Sequence, residues 1–405
     1  MRNEIMPQQT RHLQGAENCA EMELLLCCAR TRTNAEMSQR IREAALKEID
    51  WVQFIRLALR HDMLALTYWN LHRICPNIVP SGVLEPLRAR HEVEAAESRF
   101  LAEELVSILG FLDSQGISAA PYKGAALAVR LYGDLSLRGF GDLDIVICER
   151  DVPRARRLLI DRGYAPERVD TGELSQFLRE HHEMLLYRVD GKVRLDLHWR
   201  FTSRSSCLGG DPERFLRHLE TISLAGEEVR SLRLEIYLLV LSMHAAKHQW
   251  VQLKLICDIA EILAVPDLDW HYVLHEAADL GLMRVLGIGL LLAQSLLGAA
   301  LPAKLARDMK LDRAAKALAA QAFTCFYEEP GERWGLQGGI TCQLEIRERF
   351  RDRAKIFLRY FLHELKPSER DRWFLHLPKS LSAAYYIVRP VRLALERMGI
   401  TDQLP

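Results

Sequence analysis

The run HEMLLYRVDGKVRLDLHW, from His182 to Trp199, restricts what this chain can fold into more than any other stretch. Two segments with alternating apolar residues flank Asp190-Gly191, a pair that favours the type I′ turn of a two-stranded hairpin. In the second segment Val193, Leu195, Leu197 and Trp199 fall on one face, because successive strand side chains point to opposite sides. Arg194, Asp196 and His198 fall on the other. Asp196 thus stands mid-strand on a polar face, where a charge is costly if the face is covered. Taken alone, it reads equally well as an outward residue of an amphipathic strand.

The neighbouring pattern supplies more of the same unit. Ile117 to Tyr122 is expected as a short strand, Ala125 to Tyr132 as a short helix, and Leu143 to Cys148 (LDIVIC) as a buried strand. Asp151 is expected to cap a helix running through Asp161, with Gly163 at its end. Upstream, Met22 to about Asn70 has helical periodicity, and Pro76 and Pro80 interrupt it. A long helix then runs from about Val83 to Ser114 and closes near Gly116. From Arg233 onward the chain reads as helix, apart from a Gly-rich interruption between Pro330 and Gly339. The expectation is an α+β fold: a small mixed β-sheet core flanked by N-terminal helices and a mostly helical C-terminal region. Its expected parts are a flexible tail (1–20), N-terminal helices (21–95), the α/β core (96–230), a helical domain (231–328) and C-terminal helices (340–405). A chain of 405 residues is long for a single core.

Composition excludes several classes. Lys and Arg number 54 and Asp and Glu 54, so no global field draws the protein onto nucleic acid. Nucleic acid is accordingly not expected as a partner. Nine Cys without a C-x-x-C pair read as reduced thiols, and the polar N-terminal residues carry no apolar stretch. A cytoplasmic location is expected. Val285 to Ala303 is long enough on paper to span a membrane, but Gly287, Gly289, Gly298 and Pro302 interrupt it. A buried core helix, and no membrane span, is the expectation.

Three carboxylates carry the chemistry. Asp142 and Asp144 open the strand LDIVIC, two apart and hence on one face. Two such carboxylates repel unless a cation lies between them, and Mg²⁺ favours carboxylate and phosphate oxygens. Neutralising one of them, as in Asp144→Asn, should therefore leave stability near wild type or higher. If the hairpin strand pairs beside LDIVIC, Asp196 completes a triad able to hold two ions. Upstream, at Lys123-Gly124-Ala125, a strand turns into a helix, where glycine and free N–H groups suit a phosphate. Arg138 adds a charge in the loop before Asp142. His244 and His248 stand at i and i+4 on a helix, a spacing that can bind a transition metal but that has Ala245 where a zincin has Glu. Lys247 and His248 read equally well as residues that reach across a cleft and as a solvated Lys beside a helix-packing His. His181 and His182 read as solvated edge residues.

In order, KGAAL, LYGD, RGFGDLDIVI and RLDLHW resemble the bacterial uncharacterised nucleotidyltransferases of the DNA-polymerase-β-like superfamily. The helical run LEIYLLVLSMHAAKHQWVQLKLICDIAEIL is similar to the same family, so the likeness covers about residues 100 to 300. It implies an enzyme that moves a nucleoside monophosphate from an NTP to a hydroxyl on a small molecule or peptide, releasing pyrophosphate. It implies two Mg²⁺ ions on Asp142, Asp144 and Asp196, with Asp196 as general base. Lys123, Gly124, Ala125, Ser136 and Arg138 would meet the nucleotide, with ATP among the expected ligands, and His198, Lys247 and His248 the acceptor. The family usually carries Gly-Ser at the turn; Ala125 takes the place of that Ser. This departure favours the alternative of a catalytically weak nucleotide-binding sensor on the same fold.

Overall fold

Alternation and periodicity sort the chain into one small sheet and many helices. The computed structural model describes residues 19–167, 174–202, 212–302, 305, 312–327, 343–364 and 369–397. The tail expected over 1–20 falls almost wholly outside them, as does the interruption at 330–339. The chain divides into two compact units, Met1–Glu348 and Arg349–Pro405.

The first unit begins with α1 (Ala20–Cys28), α2 (Ala35–Ala45), α3 (Trp51–Arg60), α4 (Leu64–Ile74) and the long α5 (Ser81–Ser114). Asn34 and Asp50 cap α2 and α3 by accepting hydrogen bonds from first-turn N–H groups. The α/β part follows: β1 (Ala119–Pro121), α6 (Ala125–Leu127), β2 (Leu143–Ile147), α7 (Val152–Asp161), β3 (Tyr164–Pro166), α8 (Leu174–Glu180), β4 (Glu183–Arg188) and β5 (Arg194–His198). After α9 (Glu213–Leu216) and a separate hairpin, β6 (Glu220–Leu224) and β7 (Glu227–Ser231), the chain is helical: α10 (Leu234–Lys247), α11 (Leu253–Leu263), α12 (Trp270–Leu280), α13 (Met283–Leu297) and α14 (Arg313–Tyr327). The second unit holds α15 (Phe350–Glu364), α16 (Glu369–Phe374) and α17 (Tyr385–Arg397). This is the α+β architecture expected, with helices on both sides of a small sheet.

The sheet order is β1-β2-β5-β4-β3, and it is mixed. β2 and β5 run parallel with Asp144 opposite Asp196, while β1 pairs antiparallel with β2 and β4 with β5. Alternation then decides which layer each side chain joins. Leu143, Ile145, Ile147, Leu195, Leu197 and Trp199 pack with one side of α5 (Leu101, Leu105, Ile108, Leu112) and with α7. Ala120, Tyr122, Val146 and Cys148 face the other way, into the larger core built by α1–α4 and α10–α14. Asp144, Asp196 and His198 share this second face. The inner part of the hairpin's polar face, at Asp196 and His198, is therefore buried, while Arg194 at its start stays exposed.

Two local expectations need correction. In the hairpin only Gly191 has a positive φ, of 71°, and its N–H donates to Arg188 O at 2.8 Å. Val189 and Asp190 are thus the turn's centre, with Gly191 at the last position of a type I-like turn in a longer loop, not a type I′ pair. Asp151 stands at the start of α7, but its side chain makes no capping hydrogen bond; a 3-10 turn (Glu149–Asp151) leads into the helix.

The apolar run at 285–303 forms α13, only 15 residues long, closed by Gly298 at φ 67°. At Gly289 a Cβ would stand 2.9 Å from Ile259 Cδ1, so this glycine lets α13 and α11 approach closely. Among the described residues no helix is long and apolar enough to cross a membrane. Cys27, Cys28, Cys75, Cys148 and Cys257 are buried cysteines outside any disulfide, and Cys19 is half-buried.

Candidate active site

Backbone pairing assembles the site. β1 and β2 continue their ladder one step past Pro121, with the Tyr122 N–H donating to Asp144 O at 2.9 Å. The Lys123-Gly124 turn is thereby held beside Asp144. Gly124 has φ 58° and ψ −125°, a conformation that side chains resist, and its Cα faces Phe140 and the Asp142 carbonyl. The next N–H groups, of Ala125, Ala126 and Leu127, open a helical turn; the first α-type bond returning to Gly124 O comes from Ala128 N–H. Tyr237 of α10 donates to Pro121 O at 2.7 Å and so ties the helical layer to this turn.

Asp144, Asp196 and His198 converge. Each offers a ligand atom, and these atoms lie within 4.8 Å of one another. All three side chains are buried. The Asp144 carboxylate meets His198 Nε2 at 2.8 Å and Lys123 Nζ at 3.2 Å. Asp196 accepts two bonds from Arg194, at 3.0 Å from Nε and 2.8 Å from Nη2. Asp142 lies outside the three-ligand cluster but beside it, half-exposed at the rim, 3.9 Å from Arg194. Lys123 and Arg194 thus supply positive charge where a divalent cation would.

The electrostatics separate the three acids. Burial alone would raise Asp144, but the His198 hydrogen bond and the Lys123 ammonium overcome it and hold the carboxyl below the usual range. Burial and then the Asp144 charge raise Asp142, with Lys123, Arg194 and Lys254 opposing. Burial also raises Asp196, against the two Arg194 bonds.

The donor set suits a divalent cation. Two carboxylates supply hard oxygen ligands for Mg²⁺, and His198 offers a nitrogen that would also suit softer ions. On its far side His198 Nδ1 lies 3.2 Å from Glu183 Oε2, an ion-pair approach without hydrogen-bond geometry. Glu183 sits opposite His198 in the β4–β5 register, on the same sheet face, and Tyr122 packs edge-on against the imidazole at 4.7 Å. Glu183 was not singled out in the sequence; the hairpin register is the signal that finds it.

The end of α10 overlooks this face. Tyr237, His244 and His248 are spaced i, i+7 and i+11 and share a side of the helix. Burial lowers His244, and Lys123 and His248 add to the lowering, so the charge of Lys123 reaches it. Burial lowers His248 as well, with Lys247 and Lys123 contributing. The His244 and His248 rings lie 4.7 Å apart, yet among the described residues they join no third metal-ligating group. Lys247 is exposed. His182 is not a solvated edge residue: only 16% of its side chain is exposed, and burial brings it down to about 4.

Arg138 and Ser136 are both engaged within the protein. Arg138 is buried, and its Nε and Nη2 are committed to Asp258 of α11 at 2.7 and 2.8 Å. Tyr132 donates a third bond to Asp258, also 2.7 Å. Burial opposes the Arg138 charge, but Asp258 more than restores it. Arg138 thereby fastens the loop before Asp142 to the helical layer. Lys254 works beside it, donating to Gly139 O at 2.6 Å and pairing with Asp62. Lys254 also escaped sequence reasoning, since nothing local distinguishes it. Ser136 stands half-buried on a one-turn 3-10 helix (Leu135–Leu137) whose N–H is capped by Asp134.

A family model described as an uncharacterised nucleotidyltransferase matches residues 47–298, more than half of the chain and the whole of this site. No curated protein matches the chain.

Proposed function

Because the chain belongs to the uncharacterised nucleotidyltransferase family, and is a transferase of nucleotidyl groups, we propose that it moves a nucleoside monophosphate from an NTP, ATP among the candidates, to a hydroxyl acceptor. The acceptor is a small molecule or a peptide product. The observation that carries this reading is the buried Asp144–Asp196–His198 cluster set beside the Lys123-Gly124 turn. A divalent cation held by Asp144, Asp196 and the neighbouring Asp142 or His198 would supply Lewis-acid stabilisation of phosphate charge and a more acidic acceptor hydroxyl. Mg²⁺ fits the oxygen donors best, and the three acids leave room for two ions.

The chain's own residues then divide the work. The N–H groups after Gly124, at Ala125 and Ala126, and the Lys123 ammonium bind phosphate oxygens, replacing the hydroxyl that Ala125 lacks. Asp196, which burial makes more basic than an exposed carboxylate, accepts the proton of the acceptor hydroxyl. The acceptor oxygen bonds to the α-phosphorus as the bond to the β-phosphate oxygen breaks, and pyrophosphate leaves. His198, braced by Glu183, keeps Asp144 oriented. Lys247 and His248 flank the acceptor side, where their charge and hydrogen bonding select it. Arg138 and Ser136 act on the loop's shape and not on phosphate. A cytoplasmic location fits this chemistry.

The test is pyrophosphate release from a metabolite pool with each NTP and Mg²⁺. Asp144→Asn and Asp196→Asn should each abolish release while leaving the fold intact. The structure reverses one expectation about the first variant. Asp144 is held by two favourable partners, so its loss should lower the metal-free melting temperature, not raise it. Wild-type turnover in both variants would dispose of the metal-supported reading. Magnesium-dependent nucleotide binding without turnover in any pool would favour the sensor.

A further inference from the structure

The second unit has its own surface chemistry. Residues 349–405 contain twelve Lys and Arg against six Asp and Glu, in a chain that is neutral as a whole. The same unit displays large apolar side chains. On α15 Phe350, Phe357, Leu358 and Phe361 are 83, 59, 55 and 50% exposed. Their spacing of 0, 7, 8 and 11 residues places them on one helical stripe. Phe357 and Phe361 stack on each other at 6.4 Å and stay exposed among the described residues. On α17 Tyr386, Ile387 and Val391 are likewise exposed. Scattered apolar residues need no explanation, but a contiguous aromatic stripe marks a face that is covered in use.

Charge identifies the cover. Arg351, Lys355 and Arg359 are exposed on the same helix as the stripe. Such residues can keep their charged ends in a headgroup layer while the stems run along apolar surface. We propose that the stripe of α15, with the exposed side chains of α17, docks this protein onto an anionic lipid surface. The rings and aliphatic chains enter the headgroup–acyl boundary, and the excess of basic residues meets lipid phosphate and carboxylate. Pairing this face with its own copy would bring like charge against like. Nucleic acid would use the charge and leave the aromatic stripe in water. At 15 residues α15 lies on the membrane and does not cross it. This proposal does not depend on nucleotidyl transfer and would survive its failure.

The full-length protein is sedimented with vesicles of phosphatidylcholine alone and with added phosphatidylserine. Binding to the anionic vesicles that weakens with salt is expected, with little binding to the neutral ones. Phe357→Ser together with Phe361→Ser should reduce partitioning at least about tenfold, and Lys355→Glu several-fold, in line with about fivefold for each charge at a membrane surface. Lys355→Glu is the independent check should the double variant fail to fold, which circular dichroism reports. No binding to anionic vesicles, or binding that neither change affects, would overturn the proposal. So would a vesicle-free dimer that the serine substitutions dissolve, or RNA binding that outcompetes lipid.

Discussion

Removing Asp258 should separate the stability of the helical layer from the placement of the catalytic loop. Its carboxylate is fully buried and takes two bonds from Arg138 and one from Tyr132, all of 2.7–2.8 Å. Asp258→Ala strands a guanidinium in a site only 6% exposed. Breaking one partner out of a buried ion pair costs about 3–5 kcal/mol, because the survivor cannot regain water. For a unit spanning Met1–Glu348, about 2.1 cal/mol/K of unfolding entropy per residue makes each kcal/mol worth roughly 1.4 °C, so a fall of about 4–7 °C is expected. Arg138→Met combined with Asp258→Leu leaves neither charge behind and should recover most of that loss, short of about 1 kcal/mol for the orphaned Tyr132 hydroxyl. Activity should not follow. The double variant would unfold near the wild-type temperature yet remain poor in pyrophosphate release, because the loop entering Asp142 has lost its fastening. Thermal unfolding and release assays on the three proteins decide the matter. A single variant that melts within a degree or two of wild type, or a double variant whose loss is the sum of both singles, would refute the argument.

Other consequences can be checked more briefly. His61, buried and lowered to about 4, accepts from the Leu253 N–H through Nδ1. Its folded value lies below the unfolded one, so the unfolded chain binds the extra proton and stability drains away as pH falls from about 6.5 toward 4, by about 1.4 kcal/mol per unit. His61→Gln, which keeps an acceptor, should flatten that slope in urea unfolding at pH 5 and 7; an unchanged slope would assign the effect to the other histidines that burial lowers, His182 and His244 among them. Gly124→Ala should cost about 1–3 kcal/mol through the backbone alone, since its Cβ would meet Phe140 at an ordinary 3.6 Å. Nucleotide-induced thermal stabilisation should shrink with it. Asp142→Asn, which removes the charge raised by burial and by Asp144, should increase the metal-free melting temperature, the opposite of Asp144→Asn.

Much of this site could be read from short-range patterns, and the missing parts have identifiable reasons. Period-two alternation was enough to put Asp142 with Asp144 and Asp196 with His198, but bringing the two pairs to one sheet face took the parallel pairing of β2 with β5, which sets Asp144 opposite Asp196. The same rule gives Glu183 once the hairpin register is known, and a turn centred on Asp190-Gly191 gives that register, with Glu183 opposite His198; only the turn type departs from type I′. Asp151 looked like a cap because its residue type suits one, yet it lies at the end of a 3-10 turn and its side chain makes no capping bond. Arg138 looked like a phosphate ligand because a loop arginine beside two aspartates has an obvious use. Its real partner is 120 residues away on α11, and no local pattern encodes so distant a pairing. Lys254 was invisible for the same reason.

One rung of the ladder, Tyr122 N–H to Asp144 O, carries a mechanical consequence. It welds the bend proposed to meet phosphate to the strand proposed to hold a cation, so neither can be displaced while the other stays put. Substitutions that loosen this weld should erode affinity for nucleotide and for metal in parallel, and evolution could retune the partner entering from the α10 side without disturbing either.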